Sequence, residues 1–127
     1  MAWELKPDRP IYIQLLDYIK LGIISGKYLP GDKLPSVRDL AEEASVNPNT
    51  MQKALVELER LGMVYTQRTS GRFITEDTEM INKIKETVAK EKIVEFFESM
   101  EKLGFSPKET IQIIENEAKE IILWILF

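Results

Sequence analysis

Residues 34–55 run Leu34-Pro35-Ser36-Val37-Arg38-Asp39-Leu40-Ala41-Glu42-Glu43-Ala44-Ser45-Val46-Asn47-Pro48-Asn49-Thr50-Met51-Gln52-Lys53-Ala54-Leu55. Two helix starts lie within this stretch. Ser36 is a favoured N-cap with Asp39 three places on, the spacing of a capping box, and Asn47 is another, followed by Pro48, which suits the first position of a helix. Val37, Leu40, Ala41 and Ala44 form one apolar stripe, and Met51, Ala54, Leu55, Leu58 and Leu61 form a second at helical spacing until Gly62. The connection Ser45-Val46-Asn47 is too short for anything but a tight turn. A helix-turn-helix is therefore expected.

Outward from that core, Tyr12, Leu15, Leu16, Ile19 and Ile23 predict a helix between Pro10 and Gly26. Two prolines and a Pro-Gly pair make residues 27–35 a loop. On the other side, Met63-Val64-Tyr65-Thr66 and Phe73-Ile74-Thr75 predict two short strands joined by residues 67–72. A long helix with an extended packing surface is expected from Thr78 to Leu103, marked by Ile81, Ile84, Val88, Ile93, Phe96, Phe97, Met100 and Leu103 and ended by Gly104. Ser106-Pro107-Lys108-Glu109 is a second capping box, opening a final helix that carries Ile111, Ile114, Ala118 and the apolar run Ile121–Phe127. The fold class is mainly α with a small β-hairpin, divided into residues 1–75 and a two-helix region, 76–127.

The 127 residues, 44% apolar and 30% charged, suffice for one compact domain or two small ones. Cysteine and histidine are both absent, which removes thiolate nucleophiles, serine–histidine triads and most metal sites, so no enzyme, cofactor or metal is expected. Glu95, Glu98 and Glu101 read as a solvated helix face. The N-terminus lacks the apolar run of a signal peptide and no stretch approaches the roughly 20 apolar residues that span a bilayer, so a cytoplasmic protein without a membrane partner is expected. The net charge of −4 is unevenly spread: residues 1–75 carry 10 Lys/Arg and 9 Asp/Glu, whereas residues 76–127 carry 7 and 12. A nearly neutral N-terminal part can present a local basic face.

A helix-turn-helix places its second helix in the major groove, reading bases with its N-terminal residues. Asn49, Thr50, Gln52 and Lys53, just past the Asn47 cap, offer amide, hydroxyl and ammonium groups there, while Glu57 and Glu59 lie in later turns. Ser36 sits at the positive end of the preceding helix, and Arg38 projects from its first turn, either toward DNA or into an ion pair with Glu42. The hairpin tip adds Arg68, Gly71 and Arg72. Phe96, Phe97, Met100 and Trp124 are read as dimer core or as the lining of an effector pocket.

Pro10-Ile11-Tyr12-Ile13-Gln14, Pro30 to Ala41 with its Leu-Pro-Ser-x-Arg-x-Leu-Ala segment, and Val46 to Leu55 resemble the winged helix-turn-helix of GntR-family bacterial transcriptional regulators, over about residues 10–75. The resemblance implies a base contact for Arg38, phosphate contacts for Ser36 and Thr50, groove contacts for Asn49 and Lys53, and a wing tip at Gly71. Where the family's wing usually reads Gly-x-Gly-Thr-Phe, this chain has Thr69-Ser70-Gly71-Arg72-Phe73. The 52 residues after Thr75 are too few for a large effector domain and resemble the YtrA-like branch, which ends in two dimerising helices. Such a chain is expected to be a homodimeric repressor that binds an inverted repeat in double-stranded DNA; whether it also takes a small-molecule effector is left open by the sequence. The alternative is a winged-helix protein-interaction module with a vestigial DNA face.

Overall fold

The computed structural model describes residues 3–126; Phe127, last of the apolar run, lies outside them with Met1 and Ala2. The elements follow in the order α1 (Ile11–Ser25), α2 (Val37–Ala44), α3 (Pro48–Arg60), β1 (Val64–Gln67), β2 (Gly71–Ile74), α4 (Thr78–Lys102) and α5 (Pro107–Leu126). The chain forms two compact units that divide after Lys85, within α4.

The first unit is built around α3, which packs against both α1 and α2. Leu15, Ile19 and Ile23 of α1, Leu40, Ala41 and Ala44 of α2, and Met51, Ala54, Leu55 and Leu58 of α3 are all buried, as the spacing requires. Leu61 departs from the expected stripe. It caps the C-terminus of α3 and remains 42% exposed, because the chain turns away through Gly62, at φ 81°, before a further inward position is reached. Met63 and Val64 take over the burial instead.

Gly22 has a packing reason for standing inside α1. A Cβ built there would fall 2.6–2.7 Å from the Tyr28 ring, whose backbone N–H donates to the Gly22 carbonyl at 3.0 Å. Close approach of the loop to the helix requires the missing side chain.

The hairpin strands are antiparallel, with Val64 opposite Ile74 and Gln67 opposite Gly71. The second strand thus begins two residues earlier than Phe73, leaving only Arg68, Thr69 and Ser70 as the turn. A third stretch of chain joins the pair: Lys33 bridges to Phe73, Leu34 N–H donates to Arg72 O at 2.9 Å, and Ile74 N–H donates to Asp32 O at 2.8 Å. Leu34, 2% exposed, anchors this segment in the core.

In the second unit, α4 leaves its helix at Gly104 (φ 98°) and α5 begins at the Ser106 cap. Ser106 Oγ accepts from Glu109 N–H at 3.1 Å and Glu109 Oε1 accepts from Ser106 N–H at 3.0 Å, a complete capping box. At Ser36 only the first half forms, with Oγ accepting from Asp39 N–H at 3.1 Å; aspartate is one methylene shorter than glutamate, and among the described residues it makes no return bond. The Ser106 backbone N–H, and after it the hydroxyl, holds the Glu109 carboxyl below its usual range. A depressed carboxyl stabilises the folded state above its unfolded pKa, and that contribution fades as pH falls through the folded value.

The apolar positions of the long helix α4 are mostly uncovered in the single chain. Only Ile81 is buried, whereas Ile93 is 55%, Phe96 44% and Leu103 71% exposed. On α5, Ile111, Ile114 and every residue from Ile121 to Leu126 are exposed as well. Among the described residues, no helix is long and apolar enough to cross a membrane.

The contrast at the end of α3 predicts that Leu58→Ala lowers unfolding stability by about 2–5 kcal/mol, the range for truncating a buried leucine. Leu61→Ala should change it by only about 0.5 kcal/mol. Urea titration followed by circular dichroism measures both, and equal losses would contradict the packing described.

Candidate nucleic-acid interface

The helix-turn-helix caps are built as the sequence requires. Asn47 Oδ1 accepts from Asn49 N–H at 2.8 Å and Pro48 occupies the first helical position, so the N-terminus of α3 is fixed while the side chains of Asn49, Gln52 and Lys53 stay exposed. Thr50 is half-buried on the same turns. Because residues 49, 52 and 53 stand at i, i+3 and i+4, they share one face.

The acids of α3 are occupied at its other end. Arg60 Nε donates to both carboxylate oxygens of Glu57, at 2.9 and 3.0 Å, and the Thr66 hydroxyl donates to Glu59. Hydrogen bonding from Arg60 draws the Glu57 carboxyl below its usual range. These carboxylates therefore sit away from the N-terminal face, each held by a local partner.

The pairing of residues 32–34 with β2 places the first turn of α2 beside the hairpin. Between them lies a groove of about 780 Å³, lined by residues 33–39 on one side and by Thr66, Gln67, Arg68, Ser70, Gly71 and Arg72 on the other. Four cations, Lys33, Arg38, Arg68 and Arg72, border it, against Asp39 as the one acid of the lining. Arg38 is exposed and, among the described residues, forms no ion pair with Glu42, so the i,i+4 pairing open to it from the sequence is not made. The Arg72 Nε is buried and has no hydrogen-bond partner among the described residues. Gly71, at φ 109°, lies so close to Lys33 that a Cβ would meet its Cε at 3.1 Å.

The groove thus gathers Ser36, Arg38, Arg68, Gly71 and Arg72, while Asn47 caps α3, Asn49, Thr50, Gln52 and Lys53 occupy its N-terminal half, and none of these five lines the groove. Lys33 was missed by sequence reasoning. Its place in a Pro-Gly loop gave no sign of a β-bridge, although a lysine three residues before a helix cap was the available signal. Phe96 and Phe97 meet edge to face at 6.1 Å, and Trp124 is 84% exposed. A shallow hollow of about 410 Å³ in the same unit is lined instead by Thr87, Lys90, Glu91, Val94, Glu95 and Glu98. Among the described residues there is no His/Cys/Asp/Glu cluster able to hold a metal.

Comparison with known proteins gives the following. The family model described as "Bacterial regulatory proteins, gntR family" matches residues 11–74. The chain is 39% identical over 113 residues to the uncharacterized HTH-type transcriptional regulator YhcF of Bacillus subtilis, covering 89% of this chain and 93% of that relative. It is 46% identical over 72 residues to the HTH-type transcriptional repressor YtrA of the same organism, covering 57% and 55%. A solved GntR family transcriptional regulator from Listeria monocytogenes superposes with a TM-score of 0.80 at 38% identity, covering 88% of this chain and 98% of the other. The AraR DNA-binding domain, solved in complex with operator ORX1, gives 0.54 at 28% identity, covering 59% and 95%.

Gly71→Ala would force a side chain into both a left-handed backbone region and the Lys33 stem. It should destabilise the fold by roughly 1–3 kcal/mol. An unchanged denaturation midpoint would contradict the close approach of the hairpin to residue 33.

Proposed function

The chain belongs to the GntR family of bacterial regulatory proteins, and we propose that it acts as a homodimeric repressor that reads an inverted-repeat operator through residues 1–75 and dimerises through residues 76–127. The observation that carries this reading is the shared groove, in which the first turn of α2 and the hairpin arginines flank one cleft bordered by four cations. Arg38 is assigned a base contact, because its fork matches guanine O6 and N7 and its side chain is exposed, with no ion pair among the described residues. Ser36 and Thr50 are assigned phosphate contacts, with Asn47, Asn49, Gln52 and Lys53 at the major groove and Arg68, Gly71 and Arg72 at the adjoining backbone or minor groove. The operator complex of the AraR domain, similar in fold, supports a DNA target, and the repressor activity named for YtrA supports the sign of regulation.

The open apolar surface of α4 and α5 supports the dimer. Ile93, Phe96, Ile111 and Ile114 are exposed in a single chain, and burying apolar area at about 25 cal/mol per Å² favours a second copy over water. Phe96, Phe97, Met100 and Trp124 are assigned to that dimer face. A two-fold pair also presents two reading heads to two half-sites.

Ser36 allows capping to be separated from DNA contact. Aspartate is as good an N-cap as serine, so Ser36→Asp should leave folding stability within about 0.5 kcal/mol while setting a carboxylate against the phosphate backbone. Arg38→Ala should lose about 1–3 kcal/mol of operator binding and flatten the difference between operator and unrelated DNA. Fluorescence anisotropy at two salt concentrations measures both; operator affinity unchanged by either substitution would refute the assignment.

A further inference from the structure

Tyr12 of α1 is not explained by the core or by the groove. It is half-buried, and its ring lies under the Lys53 ammonium, with Nζ 3.9 Å from the ring centroid. Such an approach is well inside the roughly 6 Å within which the ring quadrupole attracts a cation. Lys53 belongs to the same exposed face of α3 as Asn49 and Gln52.

The ring stands on a fixed base. Gln14, two residues further along α1 and only 4% exposed, accepts from Lys6 N–H at 2.7 Å and donates to Lys6 O at 2.7 Å and Arg9 O at 3.0 Å. Those three bonds tie residues 6–9 to the first turn of α1, and α1 packs on α3. A buried glutamine in an otherwise apolar stripe is thereby accounted for, since each bond satisfies a polar group.

A free lysine loses rotamer freedom when it grips a phosphate, at about 0.5–1.5 kcal/mol for a flexible side chain. Contact with a ring face restricts the stem beforehand. The ring meets one side of the ammonium and accepts no conventional hydrogen bond, so donors remain for an oxygen on the other side.

We propose that Tyr12 is a positioning residue for DNA binding, its ring face holding the Lys53 ammonium beside Asn49 and Gln52 in the orientation that meets a phosphate. The proposal rests on the operator-binding role given to Lys53 above and takes its contact to be with a phosphate on the edge of the major groove. It predicts that Tyr12→Leu weakens operator affinity about 3- to 10-fold, that Tyr12→Phe, which keeps the ring face, restores it, and that Tyr12→Leu adds no loss in a Lys53→Ala background.

Two readouts separate positioning from a structural role. Proton NMR of the free wild-type protein should show the Lys53 ε-methylene shifted upfield by the Tyr12 ring current, a shift kept in Tyr12→Phe and lost in Tyr12→Leu. The slope of log affinity against log salt should be unchanged by Tyr12→Leu, because the phosphate contact persists, and should fall by about 1 in Lys53→Ala. Absence of the upfield shift in the wild type would overturn the proposal whether or not the leucine variant folds. So would additive losses from the two substitutions. If the shift is present but Lys53→Ala leaves affinity and slope intact, the Lys53 contact falls and the proposal with it, while the wider operator reading still stands on Arg38.

Discussion

The backbone pairing of residues 31–34 with β2 is the constraint on which the candidate interface depends. Gly31 N–H donates to Ile74 O, Ile74 N–H to Asp32 O, and Leu34 N–H to Arg72 O, at 2.8–3.0 Å. Each bond contributes only about 0.5–1.5 kcal/mol net, but together with the burial of Leu34 they fix where the chain enters α2. Ser36 follows Leu34 by two residues and Arg38 by four, too few to drift from the anchor. The same bonds fix Arg72 and, through the hairpin turn, Arg68. A cationic cleft results from backbone geometry, with no contribution from a run of basic residues in the sequence.

That explains how an acidic chain carries a basic face. The net charge of −4 is a sum over residues, whereas a phosphate meets only the charges within about one Debye length, near 8 Å at physiological salt. Glu57 and Glu59 are held at the far end of α3 by Arg60 and Thr66, and the excess acid belongs to residues 76–127. Fields of opposite sign also disfavour DNA along the second unit, which limits where a duplex can lie.

Local signals were legible from residues 34–55 alone. Ser36 and Asn47 act through bonds to residues two or three places away, so caps, helix limits and turn followed from sequence; the wing and the family resemblance drew on residues 10–14, 30–33 and 63–75 as well. The pairing of Lys33 with Phe73 spans forty residues and left no local mark. Nor did the Gln14 clamp, the Tyr12 platform or the three-residue hairpin turn, each decided by tertiary contact. Apolar spacing along α4 and α5 located both helices, and their apolar surface is more than two helices can bury against each other, because periodicity reports which face seeks cover and not whether the same chain provides it. Ile93, Phe96 and Ile111 remain open for that reason.

The central claim is that α2, the N-terminal half of α3 and the hairpin read one half-site, and that two chains read two. Selection of bound sequences from random duplex DNA by the full chain tests it most directly. The expected result is enrichment of an inverted repeat with fixed spacing between its halves, and loss of the preferred base at one symmetric position in each half when Arg38 is replaced by alanine. Enrichment of no motif, or of the same motif by the wild type and the Arg38→Ala variant, would contradict it.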